Sequence, residues 1–390
     1  MRRLGDAVLE EKIETLPLVD HHCHGVVRGD LGRAAFESLL TEAGEAGELG
    51  GSLFHSRIGF AVRRWCAPVL DLPVHADPED YLARRAELGA AEVNRRFLRA
   101  AGLEALCVDT GYIPDSLLEP AELGGLADAP AHEILRLETL AEEVVADGVG
   151  ASAFAGEVRT RLEARAPRVA GFKSIAAYRA GLELSGKRPS GEEVTKAAGR
   201  LLRDTERGLA GCDAPPRIQD EVLHRFLVWC ACDIGLPIQF HVGYGDAEAD
   251  LRRGDPLLLT GLLQELSRKN VPVMLLHNYP FHRNAGYLAQ VFPNVFVDVS
   301  LGTHNLGDRA PVILAELMEL APFGKVLFAS DAYGLPELFH LGALQFRRGL
   351  GRVLAEGVAE GSWTERDAAR VAEMIASGNA RRAYRLDERF

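Results

Sequence analysis

Eight short apolar runs along this chain each end in, or just before, a polar residue. Four of the endings carry groups that bind divalent metals. They are Leu18-Val19-Asp20-His21-His22-Cys23-His24, Pro237-Ile238-Gln239-Phe240-His241, Val273-Met274-Leu275-Leu276-His277 and Val326-Leu327-Phe328-Ala329-Ser330-Asp331. Most of the runs are near-continuous rather than alternating, which marks strands covered on both faces. A parallel barrel gathers the carboxyl ends of its strands around one mouth, so residues three hundred positions apart would meet there.

The runs predict strands at about 16–21, 104–109, 133–138, 169–174, 237–241, 271–276, 294–299 and 325–330. Helical stretches separate them, at 79–100, 139–149, 155–166, 191–210, 217–234, 257–268, 283–292, 309–321 and 341–358. Strand and helix alternate, as in βαβ units on a parallel sheet. The first turn is His-Cys-His rather than Gly-rich, and neither G-x-G-x-x-G nor a Walker A loop is present, which argues against a nucleotide-binding open sheet. The expected fold is an α/β (β/α)8 TIM barrel, one unit over 1–390, a size compatible with insertions. Segments 25–103 and 175–236 exceed a simple crossover. Both leave strand ends, so both are expected over the mouth, with 25–103 as a lid-like insertion. Residues 360–390 read as C-terminal helices packing on the barrel. Thr364 and Asp367 fit a capping box, Gly378 fits the stop of that helix, and Asn379–Tyr384 reads as a short closing helix.

A net charge of −12 argues against nucleic acid or an acidic membrane surface as partner. No apolar run approaches the roughly 20 residues of a membrane span. Residues 1–20 have scattered charges and no apolar core, so no signal peptide is expected. The six cysteines lack a secreted-framework spacing, which points to a reduced, cytoplasmic compartment. The expected partner is a small-molecule substrate, with homo-oligomerisation left open.

In a regular strand, Asp20, His22 and His24 share one face, with His21 and Cys23 opposite. Two imidazoles at i and i+2 make a platform for zinc, and a further imidazole, His241, with the Asp331 carboxylate completes a site that keeps room for water. Metal would bring the pKa of such a water toward neutrality, and Asp331 could bind with one oxygen and take the proton with the other. His277 is either a further ligand or the group that orients the water and polarises the scissile carbonyl. Zinc suits this donor set best, one per chain, although Mn2+ or Fe2+ would also fit. Asp109, Glu138, Asp298 and Ser300 end other strands and are candidates for substrate contact or for support of the ligands. Tyr244 and Asp246, in the Gly-containing loop after His241, are candidates for substrate contact. His304 follows the seventh strand within reach of the mouth. Cys23, Cys230 and Cys232 are expected to pack, and His55, His75, His132, His224 and His340 are expected to be ordinary.

The order His22-x-His24, His241, His277, Asp331 resembles the amidohydrolase superfamily of metal-dependent barrels. The closing Gly378-Asn379-Ala380-Arg381-Arg382-Ala383-Tyr384-Arg385-Leu386 is similar to the end of its amidohydrolase-2 branch. Gly171-Phe172-Lys173-Ser174-Ile175-Ala176-Ala177-Tyr178-Arg179, Phe240-His241-Val242-Gly243-Tyr244-Gly245-Asp246, Leu276-His277-Asn278-Tyr279-Pro280 and Ser330-Asp331-Ala332-Tyr333-Gly334 resemble the amidohydrolase domain of nodulin/FluG-type proteins. There it is fused to a glutamine synthetase-like half that this sequence lacks. The resemblance implies hydrolysis of an amide, in particular a γ-glutamyl amide. It also implies two uses for Lys173. In binuclear members a lysine at that strand end is carbamylated and bridges two metals. In the mostly mononuclear amidohydrolase-2 branch, Lys173 would instead anchor a substrate carboxylate alongside Arg179, and this is the expected use. The alternatives are a non-oxidative decarboxylase of the same superfamily and a regulatory barrel without catalysis.

Overall fold

The structure is a computed structural model and describes residues 9, 11–44, 48–111, 116–209 and 215–390. Residues 45–47 of the Gly/Glu-rich stretch in the first long segment lie outside that set. Seven parallel strands form one sheet in sequence order: β1 (Leu18–Cys23), β2 (Leu103–Asp109), β3 (Ala131–Arg136), β4 (Val169–Ser174), β5 (Ile238–Val242), β6 (Val273–His277) and β7 (Val295–Val297). The residues of β1, β4, β5 and β6 are all buried, with the polar Asp20, Lys173 and Gln239 among them.

The eighth apolar run does not form a regular strand. Leu327 N donates to Val297 O (2.9 Å), His21 N donates to Phe328 O (3.1 Å), and Asp331 N donates to His22 O (3.0 Å). One irregular segment thus bonds to both edges of a curled sheet. The ladder breaks where Ser330 N donates to the Asp20 carboxylate (2.9 Å) instead of to a carbonyl, and where Asp331 takes a left-handed φ of 52°.

Two apolar clusters follow from the curl. The larger lies between sheet and helices. The smaller takes Val19, Ala105, Cys107, Ile134, Ala170, Met274, Leu276 and Leu327 from the strands, with Ala380, Ala383, Tyr384 and Leu386 from the C-terminal end. The fully buried Tyr384 brings its hydroxyl to Gln239 Nε2 (2.8 Å) and His21 Nδ1 (3.0 Å). The closing helix Asn379–Tyr384 therefore plugs one end of the curl.

Several elements differ from expectation for local reasons. Gly89, at φ 76°, splits the first long helix into Pro78–Leu88 and Ala90–Ala101. Pro120–Ala127 is an additional helix, started by a Glu119–Glu122 capping box despite two internal glycines. β3 ends at Arg136, so Glu138 lies in the first turn of helix Leu137–Ala146 rather than at a strand end. The Thr364–Asp367 capping box forms as expected, but Gly378 stops nothing. It has right-handed helical dihedrals, and the chain passes through a π-helical turn, Met374–Gly378, into the closing helix. Among the described residues no helix is long and apolar enough to cross a membrane. The five described cysteines are free and buried.

The segment between β1 and β2 is tied to the body by a buried ionic cluster. Glu337, in the first turn of helix Pro336–Ala359, accepts from Arg85 Nε (2.6 Å) and from the Tyr81 hydroxyl (2.8 Å). Glu337 is 0% exposed and Arg85 7%. Removing one member of a buried pair strands the other charge away from water, so Glu337→Ala is expected to cost about 3–5 kcal/mol of stability. Urea unfolding followed by tryptophan fluorescence checks this, and a loss under about 1 kcal/mol would rule out a buried charged pair.

Candidate metal centre

The site begins with a flaw in β1. Asp20 sits opposite Leu106 on β2 and Cys23 opposite Val108, so three steps of one strand face two of the other. Such a bulge breaks the alternation of side chains. His21 and His22 then both reach partners inside the curl. His21 Nε2 meets Asp298 Oδ2 at 3.0 Å, and His22 Nε2 meets Lys173 Nζ at 3.2 Å and Asp331 Oδ1 at 3.1 Å. Asp20 leaves this group and accepts from Ser330 Oγ (2.5 Å). The expectation that Asp20 shares the face of His22 and His24, with His21 opposite, is corrected by this bulge.

Asp331 is the hub. Its Oδ1 lies 3.1 Å from His22 Nε2 and 3.5 Å from His24 Nε2, and its Oδ2 lies 3.1 Å from His277 Nδ1. The tautomer of His24 follows from its other nitrogen, which donates to the Asp109 carbonyl at 3.1 Å. A carbonyl only accepts, so neutral His24 carries its proton on Nδ1 and a lone pair on Nε2. That lone pair faces a carboxylate oxygen. His22 Nε2 has a similar conflict, since one nitrogen cannot both accept from Lys173 and donate to Asp331. A cation between His24 Nε2 and Asp331 Oδ1 would relieve the first of these conflicts, and His24, whose other N–H is held by a carbonyl, has the usual arrangement of a metal ligand. Among the described residues two sets of donors lie within 4.8 Å of one another: His22, His277 and Asp331, and His22, His24 and Asp109. The buried Nε2 of His241 has no hydrogen-bond partner among the described residues. Its ring is packed between Tyr178 (centroids 4.2 Å apart) and His277 (4.5 Å). The donors present therefore fit a divalent ion.

His277 is held differently. Ser300 Oγ donates to Asp298 Oδ1 (2.5 Å) and so accepts from His277 Nδ1 (2.9 Å). Asp298 Oδ1 also accepts from the backbone N–H of His277 (2.9 Å) and Ser300 (2.8 Å). With Nδ1 protonated, His277 also points a donor at Asp331 Oδ2. A chain of bonds thus runs from Tyr384 through His21 and Asp298 to His277. His277, Asn278, Leu301 and Asp331 all have left-handed φ (66°, 60°, 58° and 52°), a conformation costly for non-glycine residues and concentrated at functional sites.

Burial sets the charge states. It pushes His22 down to about 4 and holds His241 and His277 well below the usual imidazole range. All three are neutral, with lone pairs to give. Burial lowers Lys173 to about 8.

Above these groups opens a cavity of about 340 Å³. Lys173, Arg136, Tyr178, Arg179, Asp246 and His304 line it, together with Ser38, Leu39, Thr41, Glu42 and Gly44 from the segment after β1. Two buried nitrogens of Arg179, Nε and Nη1, have no hydrogen-bond partner among the described residues. Burial pushes Glu42 up to about 7 and also raises Asp246. Tyr244 is edge-on to Tyr279 (6.4 Å) and lies outside this lining. Asp109 pairs with Arg136 (2.6 Å). Glu138 is also absent from the lining. It accepts from Ser174 Oγ (2.7 Å) and Ile175 N (3.1 Å) and meets His224 (3.1 Å), bracing the end of β4. The sequence reading passed over Arg136, which ends an apolar run, and Tyr178, which lies in a quoted motif. It also passed over Gly245, where an added Cβ would lie 2.1 Å from the Tyr178 hydroxyl and 2.8 Å from His241 Nε2.

Together the curled parallel sheet and the buried histidine–carboxylate cluster at one mouth define a metal-site α/β enzyme. The family model described as amidohydrolase matches residues 154–386, and the chain belongs to that family of metal-dependent hydrolases. The protein fluG of Emericella nidulans is 33% identical over 234 residues, which is 57% of this chain but only 26% of fluG. The chain therefore spans about a quarter of that relative. A crystal structure from Lactobacillus casei, of a protein inferred to be a metal-dependent hydrolase, superposes with a TM-score of 0.84 at 29% identity, covering 98% of both chains. The uronate isomerase of Thermotoga maritima shares the fold, with a TM-score of 0.64 at 14% identity over 97% of both chains.

Proposed function

We propose that the protein hydrolyses the amide C–N bond of a small carboxylate-bearing substrate, a γ-glutamyl amide by chemistry, using one divalent metal held by His22, His24, His241 and Asp331. The observation that carries this reading is the pair of imidazole nitrogens, His22 Nε2 and His24 Nε2, facing Asp331 Oδ1 at 3.1 and 3.5 Å, an arrangement that suits a cation held between them. Zinc suits the three imidazoles and one carboxylate best. When bound, such a metal supplies Lewis acidity and a water acidified toward neutral pH. Asp331 Oδ2 is the base that receives the proton from the attacking water. His277 Nδ1–H, fixed by Ser300 and Asp298, steadies that oxygen, which favours the orienting role of His277 over ligation through Nδ1. Lys173 stands against His22, inside the cluster, so Arg179 with its two unpartnered nitrogens is the better anchor for a substrate carboxylate.

The same reading makes segment 326–331 the eighth, closing strand of a (β/α)8 barrel, and 25–103 the lid, supported by the contribution of residues 38–44 to the cavity wall. The buried free cysteines accord with a cytoplasmic setting.

The test is a panel of γ-glutamyl amides given to the metal-loaded enzyme, with released amine and CO2 both counted. One amine per turnover without CO2 is expected, and CO2 release without amine would move the assignment to decarboxylation. A charge-assisted hydrogen bond is worth roughly 1.5–3 kcal/mol. Arg179→Met is accordingly expected to raise KM about tenfold to a hundredfold for a substrate with a free carboxylate. It should spare metal content and an uncharged analogue, and an equal effect on both substrates would remove Arg179 as the anchor.

A further inference from the structure

A second cavity, of about 330 Å³, lies between the segment after β1 and the body of the protein. From that segment come Arg57, Arg64, Trp65 and His75, and from the body come Gly307, Asp308, Pro311, Gln345, Arg348 and Arg352. It shares no lining residue with the metal cavity. The chain as a whole carries a net charge of −12, yet four guanidiniums gather here. Asp308 is the single carboxylate among the described lining residues, and it pairs with Arg57. Arg348 has Glu14 at 3.6 Å, while neither Arg64 nor Arg352 has a described carboxylate within 4.0 Å.

Trp65 organises this group. The guanidinium of Arg64 lies 4.5 Å from its ring centroid and that of Arg348 lies 4.8 Å away. Stacking on an indole holds a guanidinium in place through its face, and for Arg64, which has no described carboxylate partner, it leaves the N–H edge for an oxygen acceptor. Bidentate N–H pairs match phosphate oxygens in geometry as well as charge. The guanidiniums of Arg57, Arg64 and Arg352 are more than one phosphate requires, and a cavity of about 330 Å³ suits a compact ligand.

We infer that this cavity is a binding site for a compact polyanion with two phosphoryl-type groups, held by Arg57, Arg64 and Arg352. The ligand bridges the segment after β1 to helix Pro336–Ala359. It joins the segment that lines the metal cavity to the body at a second point, and the assignment is independent of the reaction proposed above.

Isothermal titration of the full-length, metal-loaded protein with inorganic diphosphate tests the site, with inorganic phosphate as a second arm. One saturable diphosphate site is expected, with phosphate at least tenfold weaker and both weakened by added salt. Arg64→Ala combined with Arg352→Ala should weaken diphosphate at least tenfold without changing metal content. Asp308→Asn removes the one described lining anion and should tighten binding, a change of opposite sign that loss of folding cannot mimic. Removal of the catalytic metal by diphosphate would be the same in wild type and variants and is read separately by elemental analysis. Equal affinity in wild type and the double variant, equal affinity for phosphate and diphosphate, or weaker binding by Asp308→Asn overturns the assignment.

Discussion

Asp331→Asn is expected to lower turnover at least about a hundredfold, the scale of general acid–base catalysis, while part of the metal stays bound. The substitution keeps the size of the side chain and one oxygen donor. In the native site Oδ1 faces His22 Nε2 at 3.1 Å and Oδ2 faces His277 Nδ1 at 3.1 Å. An amide cannot supply two anionic oxygens to these partners, nor can it take a proton at neutral pH. Its NH2 would either meet the protonated Nδ1 of His277 or displace an oxygen from the imidazoles. Steady-state kinetics and metal content on the same preparation separate the two roles. Turnover within about threefold of wild type would reject Asp331 as the base.

Gly245→Ala is expected to lower activity on the order of a hundredfold, because displacement of a reacting group by about 1 Å has that consequence. The new Cβ would fall 2.1 Å from the Tyr178 hydroxyl and 2.8 Å from His241 Nε2. Neither neighbour can give way cheaply. Tyr178 is packed on the His241 ring at 4.2 Å, and that ring is packed on His277 at 4.5 Å. The strain should pass directly into the ligand cluster. Tyr178→Phe removes the atom in closest conflict, so the double variant Gly245→Ala with Tyr178→Phe should recover part of the loss. Independent, additive effects of the two substitutions would show that Gly245 does not act through Tyr178. Thermal unfolding of each variant separates displacement of the site from loss of the fold.

The residues that meet at the mouth were legible because of where they stand in the chain. His24 follows the end of β1, His241 lies near the end of β5, and His277 ends β6. A parallel strand covered on both faces is mostly apolar, so a ligating group that closes an apolar run points to the mouth. Finer geometry was not legible, because it depends on backbone departures with no residue signature. The β1 bulge turns His21 and His22 both inward and sends Asp20 to Ser330, and nothing in Asp20-His21-His22-Cys23 announces it. The eighth run reads as a strand from its apolar residues, yet Asp20 takes the Ser330 N–H that a regular ladder would use. Gly378 looked like a stop because glycine is common there, but continuity with the closing helix outweighed that preference. Arg136 was missed by two residues of strand register, which directed attention to Glu138 instead. Lys173 and Arg179 appeared equivalent as cations following one strand. Only the fold separates them, one against His22 and the other with nitrogens left open at the cavity.

The central claim is that His22, His24, His241 and Asp331 hold one divalent metal at the foot of the cavity. Elemental analysis of purified wild-type protein beside His24→Ala, with folding verified by circular dichroism, tests it most directly. About one equivalent of zinc or another divalent transition metal is expected in the wild type, with nearly complete loss in His24→Ala. Full retention of metal by folded His24→Ala, or two equivalents in the wild type with a carbamate on Lys173, would contradict it.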